Sequence, residues 1–195
     1  STLRPADSIL KGLDAKVSGT LGETRAGQVG FAAGVEWRQE KLDSDNPWQI
    51  DAGLQVRPAI AEVHGERKVT AAYTEVNVPL HGTLELQAAA RGDHYSDFGN
   101  AFSPKLGLRW QPLDGLLVRA AASRGFRAPS LSENSASTNI AYGSVVDPHD
   151  PDVPGSRQTP TFFTVGNRTL DPERTRSFNA GVVLSPWANT SLSVD

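Results

Sequence analysis

Apolar and polar residues alternate with a period of two along most of this chain. The alternation is clearest between 102 and 123. There the apolar positions are Leu106, Leu108, Trp110, Leu116, Val118, Ala120 and Ala122, and the intervening ones include Lys105, Gly107, Arg109, Arg119 and Ser123. Successive side chains of a strand point to opposite faces, so this pattern predicts an antiparallel hairpin with one aliphatic and one polar face. The turn of the hairpin falls at 112–115, where Pro, Asp and Gly occur together.

The same test finds about eight strand-like segments, which predict an all-β antiparallel meander in a single domain, 1–195. Their connections differ in length. Those at 22–27, 81–82, 112–115 and 186–189 are short, and those at 43–68, 96–101 and 124–175 are longer. Membrane β-barrels place short turns on one side and long loops on the other. The 124–175 stretch has no sustained periodicity and is predicted to be a functional or disordered loop.

The composition excludes several classes of protein. No apolar run is long enough for a membrane helix, and the mean hydropathy of −0.36 is typical of a soluble chain. A membrane barrel stays possible, because half of each spanning strand faces a polar lumen. The net charge of −3, without a basic block, gives no support to nucleic-acid binding. The absence of cysteine excludes disulfides and thiolate sites within the chain.

Three motifs carry a resemblance to a known family. They are SPKLGL at 103–108, RGFRAPS at 124–130 and GNRTLDPE at 166–173. In this order and at these distances they resemble the barrel of TonB-dependent outer-membrane receptors. The resemblance implies a 22-stranded transmembrane β-barrel. The chain is then expected to cover roughly a third of it, without the plug domain, the TonB box or the C-terminal strands.

The resemblance also implies a function and a location. Receptors of this family lie in the bacterial outer membrane and import a scarce nutrient such as a siderophore, haem, cobalamin or a glycan. The implied partners are that extracellular nutrient, the plug domain, the inner-membrane TonB complex and outer-membrane lipid, with no nucleic acid. No cofactor is expected. No nucleophile elbow, catalytic triad order or phosphate loop is present, so we do not expect an enzyme.

The family motifs supply the first set of candidate site residues. These are Arg119, Arg124, Phe126, Arg127, Pro129, Asn167, Pro172 and Glu173. One interpretation places them on the lumen wall near the outer rim, in contact with plug or ligand. The other makes them structural, with arginines at strand ends pairing with carboxylates, for which the planar guanidinium is well suited. We favour the structural interpretation.

The long loop supplies the candidate ligand-binding residues. These are Tyr142, Asp147, His149, Asp150, Asp152, Arg157, Phe162 and Phe163. Carboxylate oxygens suit a hard cation, but the spacing lacks the order of a calcium loop, and a solvated loop is favoured over a metal site. The aromatic side chains either stack on a ligand or pack the loop on itself. The spacing of the four histidines predicts no metal site.

A second hypothesis is a soluble all-β module that binds carbohydrate or a cell surface. Alternating strands also satisfy a sandwich, which must bury one face. The polar positions discriminate between the two: Gly34, Glu36, Glu85, Arg91 and Arg109 line an aqueous interior in a barrel and lie on the open surface in a sandwich. A complete eight-stranded barrel is a third possibility, weakened by the long 124–175 span.

Overall fold

A computed structural model describes residues 4–56, 58–149, 152–153 and 155–195. One short helix, α1 (Trp48–Asp51), is present among them. The strands are β1 (Ala6–Thr24), β2 (Gly27–Ser44), β3 (Ile60–His81), β4 (Leu84–Tyr95), β5 (Gly99–Leu113), β6 (Leu116–Arg127), β7 (Ala136–Tyr142), β8 (Val145–Asp147), β9 (Ser156–Gln158), β10 (Thr161–Val165), β11 (Glu173–Trp187) and β12 (Thr190–Val194).

Eight strands form one meander in the order β1-β2-β3-β4-β5-β6-β11-β12. This confirms the predicted all-β antiparallel meander, although the described chain has twelve strands rather than about eight. β7 joins the same sheet by pairing with β3, and β10 pairs with β7. β8 and β9 form a separate two-stranded sheet.

The regions predicted to be irregular are shorter than expected. Within 43–68, β2 continues to Ser44 and β3 already begins at Ile60. The 124–175 stretch contains four short strands, β7 to β10. The reason is pairing with distant partners: Ile60 lies opposite Ile140 and His64 opposite Ala136. Such pairing satisfies backbone donors and acceptors in stretches that show no periodicity of their own.

The ladders separate the two faces that the alternation predicts. Across β4, β5, β6 and β11, one row of directly opposed residues is Leu86, Leu108, Ala120 and Ala180. The adjacent row is Gln87, Gly107, Ala121 and Asn179. We call these the aliphatic face and the polar face. A shift of one residue in any strand would exchange them, so the register determines both.

The aliphatic face is not covered by other parts of the described chain. Among the described residues, the buried hydrophobic ones are Val69, Ala71 and Tyr95. Large apolar side chains are open instead, including Phe178 at 79% and Trp187 at 74% exposure. A soluble sandwich would need these rows to meet in a sealed core. The fold therefore does not favour the soluble alternative.

No helix in the described part of the chain has the length and apolar character needed to cross a membrane.

The chain divides into two compact units. One comprises Ser1–Lys11, Gln39–Arg67 and Pro129–Leu170, and it holds α1 and β7 to β10. The other comprises Gly12–Arg38, Lys68–Ala128 and Asp171–Asp195, and it holds β4, β5, β6, β11 and β12. The candidate loop residues therefore lie in the first unit, and the faces described above lie in the second.

The turn between β5 and β6 requires a glycine. Gly115 has φ of 78°, and a Cβ there would lie 2.6 Å from the backbone oxygen of Ser185. The Ser185 N–H donates to the Gly115 oxygen at 2.7 Å, so the two backbones are held together. We expect Gly115→Ala to lower the free energy of unfolding by about 1–3 kcal/mol.

Urea unfolding in lipid vesicles measures this loss. Gly82→Ala, in the β3–β4 turn, is the matched control, because a Cβ at Gly82 meets nothing within 4 Å. We expect the control to change the free energy by less than about 0.5 kcal/mol. Equal effects of the two substitutions would contradict the proposed role of Gly115.

Candidate functional site

The polar face carries a connected network of charged side chains. The Arg91 guanidinium donates from Nη2 to Glu36 Oε2 at 2.8 Å and from Nε to Asp93 Oδ1 at 3.0 Å. Arg38 donates to Glu36 Oε1 at 2.9 Å and to the Tyr95 hydroxyl at 3.1 Å. The Asp93 side chain is only 2% exposed. The network joins β2 to β4 and leaves the buried carboxylate paired, as a low-dielectric site requires.

The alternation of the strands places this network. Glu36 and Arg38 occupy alternate positions of β2, and Arg91, Asp93 and Tyr95 do so in β4. The alternation predicts that Glu36 and Arg91 lie on the polar face, but it does not predict their network with Arg38, Asp93 and Tyr95. The signal was available, because two charged residues stand two positions apart in each segment, Glu36 and Arg38 in β2 and Arg91 and Asp93 in β4.

Glycine at position 34 makes room on the same face. A Cβ there would lie 2.5 Å from the ring of Tyr73. The small residues of β2 therefore allow a bulky polar side chain from β3 to lie over the strand.

Two of the family motifs meet at an ion pair. Arg127 and Glu173 are directly opposed on β6 and β11, with Nε to Oε2 at 2.9 Å and Nη2 to Oε1 at 2.7 Å. This is the two-bonded geometry that arginine forms with a carboxylate. Pro172 precedes the strand. Arg119 pairs with Asp195, donating to Oδ1 from Nε at 2.9 Å and from Nη2 at 2.6 Å, and to Oδ2 from Nη2 at 2.5 Å.

The phenylalanine of the RGFRAPS motif packs against other aromatic rings. The Phe126 ring lies edge-on to Tyr95 at 5.8 Å and to Phe98 at 6.4 Å between centroids. Tyr95 and Phe98 stack at 4.4 Å. These contacts, with the Arg127–Glu173 pair, support the structural interpretation of the motif.

The segment after this motif folds as a hydrogen-bonded turn. The Ser130 N–H donates to Glu133 Oε2 at 2.6 Å, and the Glu133 N–H donates to Ser130 Oγ at 3.2 Å. This reciprocal pair is the arrangement of a capping box. Pro129 is buried, and its carbonyl accepts from Arg67 Nη1 at 2.6 Å.

The GN segment of the third motif is anchored on that turn. The Asn167 N–H donates to the Glu133 carbonyl at 2.7 Å, and Asn167 Oδ1 accepts from the N–H and hydroxyl of Thr169 at 3.0 and 2.7 Å. A Cβ at Gly166 would collide with the Ser135 carbonyl oxygen. Asn167 therefore serves to hold the loop in this structure.

The aromatic candidates of the long loop do not share one surface. Tyr142 lies opposite Thr161, and Phe163 lies opposite Ile140, so Tyr142 and Phe163 are on the same side of the β7–β10 ladder. Phe162 lies opposite Ala141, on the other side, and its ring covers Gly143. Only Tyr142 and Phe163 are placed to contact one ligand together.

The acidic candidates are held by local contacts. Asp147 Oδ1 accepts from the backbone N–H of His149 at 2.9 Å, which is an Asx turn. Arg157 lies opposite Val146 and donates from Nη1 to Ser144 Oγ at 3.2 Å. Asp152 is exposed, and Asp150 lies outside the described residues. These contacts suit a structured turn and do not gather Asp147 and Arg157 on one face.

A cluster around His64 was not anticipated from the sequence. Its Nδ1 lies 3.4 Å from Asp43 Oδ1, and its Nε2 lies 3.4 Å from Asp45 Oδ1 and 3.5 Å from Glu62 Oε1. Lys41 also pairs with Asp43. The carboxylates, Asp43 foremost, raise the pKa of His64, and the hydrogen bond from Lys41 lowers the pKa of Asp43. We interpret the cluster as exposed ion pairs of a charged histidine.

This cluster lies beyond the part of β3 that a membrane would cover. β3 has 22 residues, whereas a spanning strand needs about 9–11. His64 is near the end of β3 that is farther from the short β3–β4 turn. The group is therefore in contact with water.

Comparison with known proteins assigns the chain to one family. The model of the TonB-dependent receptor-like β-barrel matches residues 6–195. The vitamin B12 transporter BtuB of Vibrio vulnificus (strain CMCP6) is 32% identical over 106 residues, which cover 54% of this chain and 16% of that protein. The ferric enterobactin receptor PirA of Pseudomonas aeruginosa is 27% identical over 160 residues, which cover 78% of this chain and 20% of that protein.

Solved structures show the same fold. A mutant of the ferric enterobactin receptor PfeA from Pseudomonas aeruginosa, in complex with enterobactin, matches 95% of this chain and 26% of its own with a TM-score of 0.69 at 19% identity. The siderophore receptor PirA from Acinetobacter baumannii matches 93% of this chain and 25% of its own, with a TM-score of 0.64 at 16% identity.

The fold and the two faces define a stretch of transmembrane β-barrel wall. The chain belongs to the TonB-dependent receptor β-barrel family, which lies in the bacterial outer membrane. It spans about a sixth to a fifth of the two curated relatives described above, at 16% and 20% of their lengths.

The polar-face network makes a prediction about stability. Arg91→Gln removes the main partner of the buried Asp93 carboxylate, so we expect the free energy of unfolding to fall by about 1–3 kcal/mol. Arg109→Gln, an exposed arginine on the same face, is the matched control. Urea unfolding in vesicles measures both, and an unchanged free energy for Arg91→Gln would contradict the importance of the network.

The His64 cluster makes a prediction about pH. A raised pKa in the folded state means that the ion pairs contribute stability below the ordinary pKa of histidine, and that this contribution is lost as the pH rises through the folded value. NMR titration of isotope-labelled histidine should give His64 a pKa above the ordinary value of histidine. Asp43→Asn should lower that pKa, and Asp114→Asn, in the β5–β6 turn, should not. A His64 pKa that Asp43→Asn leaves unchanged would contradict the assignment.

Proposed function

We propose that this chain forms part of the wall and outer loops of a receptor that binds a scarce extracellular nutrient and imports it in a TonB-coupled manner. The observation that carries the proposal is the match of the family model to residues 6–195, together with a fold whose aliphatic face is uncovered. The strands supply a wall, and the outer segments supply ligand contacts. The plug domain and the inner-membrane TonB complex are the partners that this function needs.

A ferric siderophore is the ligand class we favour. The curated relative that aligns with the largest share of this chain among those described, 78%, is named a ferric enterobactin receptor. Cobalamin is the alternative, since another relative is named a vitamin B12 transporter. Haem and glycans are less favoured ligands, because the two curated relatives are named for cobalamin and ferric enterobactin.

The aromatic pair is the proposed contact surface. Tyr142 and Phe163 present exposed or half-exposed rings on one side of the β7–β10 ladder. Aromatic rings bury large areas at little conformational cost and commonly anchor ligands. Arg157, on β9, adds a positive charge in the same unit, which suits an anionic iron complex.

Transport is tested with radiolabelled nutrients in cells. We expect ⁵⁵Fe-enterobactin to accumulate in cells that carry the intact protein and TonB, and accumulation to stop when either is deleted. ⁵⁷Co-cobalamin serves as the second substrate, and its uptake in place of iron would move the proposal to the alternative ligand. If the cells take up neither of these substrates, and no haem or glycan from a test panel, the proposed function is contradicted.

Substitutions at Tyr142, Phe162 and Phe163 test the proposed ligand surface. Phe163→Ala and Tyr142→Ala should each weaken binding of ferric enterobactin about tenfold, because a buried aromatic contact is removed. Phe162→Leu is the matched control, since this side chain lies on the opposite side and packs on Gly143. Fluorescence titration of the purified protein measures the affinities. Equal weakening in all three variants would contradict the assignment of one face to the ligand.

A further inference from the structure

Three arginines lie together on the aliphatic face, near one end of β6 and β11. Arg124 is directly opposite Arg176, and Arg174 follows two positions along β11 on the same side. All three are exposed. Within the described part of the chain, none of them makes a hydrogen bond or an ion pair with a protein group. Directly opposed like charges destabilise a sheet, and a bound anion would offset the repulsion between Arg124 and Arg176.

On the polar face three arginines pair with carboxylates, whereas Arg109, directly opposite Arg119, donates to Gln111 Oε1. There Arg91 pairs with Glu36 and Asp93, Arg119 with Asp195, and Arg127 with Glu173. β6 and β11 thus carry paired and unpaired arginines on opposite sides of the same ladder. Among the arginines of β6 and β11, those without a carboxylate partner are Arg124, Arg174 and Arg176, and all three lie on the aliphatic face.

The height of the cluster along the strands places it near one edge of the apolar band. Leu116 begins β6 beside a short turn, and Arg124 is about eight residues further on, which corresponds to about 20 Å of height in a tilted strand. The apolar band of an outer-membrane barrel is about 25 Å tall. On β6 and β11, the aliphatic-face positions between the turns and the arginines are uncharged. Arginines on the lipid side are tolerated at this level, where their heads reach the polar interface.

Exposed aromatic side chains surround the arginines. Phe178 is next to Arg176 on the same face and is 79% exposed, and Phe102 of β5 is 66% exposed. The register between β5 and β6 ends at Lys105 and Ser123. A cleft beyond this point is lined by Asn100, Phe102, Arg124, Phe126, Arg174 and Arg176. It combines apolar walls with positive charge.

We propose that this cleft binds the phosphate-bearing headgroup of an outer-leaflet lipid. Arginine bonds to phosphate oxygens with two N–H groups at once, and three such side chains match a lipid with more than one phosphate. The exposed rings of Phe102 and Phe178 contact the first acyl carbons, because they lie on the side that faces hydrocarbon. The anion balances the opposed arginines. The site faces lipid, so it is distinct from the surface proposed for the nutrient.

Lipid binding is tested on the protein purified from outer membranes in detergent. Diphosphoryl lipid A is titrated and the bound fraction is measured by native mass spectrometry. We expect the combined variant Arg124→Gln, Arg174→Gln and Arg176→Gln to weaken binding at least about tenfold. Arg109→Gln, on the polar face, should bind the lipid as the unmodified protein does. Equal affinity of the triple variant and the unmodified protein would overturn the proposal.

Two further arms keep the test independent of the folding of the triple variant. The unmodified protein should bind lipid A that has been stripped of its phosphates at least about tenfold more weakly than the diphosphoryl form, and equal binding would overturn the proposal. Inorganic phosphate should compete only at concentrations far above that of the lipid. Equal competition would assign the site to a free anion and overturn the lipid assignment. Loss of nutrient uptake, by contrast, leaves this binding measurement unaffected.

Discussion

The structure depends on one constraint: within hydrocarbon, every backbone N–H and C=O group must find its partner inside the protein. Long paired strands meet this constraint, and β2, β3, β5 and β11 are accordingly 15 to 22 residues long. The uncovered aliphatic face follows from it, since lipid covers those side chains. The polar face is the other half of the same alternation. Hydrophobic burial inside the chain has only a small part, as the few buried apolar residues of the described segments show.

The same constraint governs where charge is placed. On the polar face, opposite charges recur at positions that the strands bring together, so Arg91, Glu36 and Asp93 neutralise one another. On the aliphatic face, charge on β6 and β11 is confined to the end of the ladder, at Arg124, Arg174 and Arg176. The charges around His64 are accommodated in a third way, because these ion pairs are exposed and water screens them. Each environment therefore shows its own way of accommodating arginines and carboxylates.

The sequence alone predicted the strands whose side chains alternate, because period two is a property of neighbouring residues. Leu106, Leu108 and Arg109 lie on the predicted faces. The pairing of Ile60 with Ile140 was not predictable, since it joins segments far apart that have no periodicity. The site followed the same rule: residue types such as Tyr142 and Phe163 were visible in the sequence, whereas their separation from Phe162 depends on the β7–β10 register. The His64 cluster was missed because its carboxylates come from two separate strands and a loop.

The central claim is that residues of one parity face lipid and those of the other face water. The chain contains no cysteine, so single cysteines can be introduced at each position from 105 to 110 and spin-labelled. Electron paramagnetic resonance in lipid vesicles then compares accessibility to oxygen, which partitions into hydrocarbon, with accessibility to a water-soluble nickel complex. The account predicts strict alternation, with oxygen favoured at 106, 108 and 110 and nickel at 105, 107 and 109. Uniform accessibility, or the opposite alternation, would contradict it.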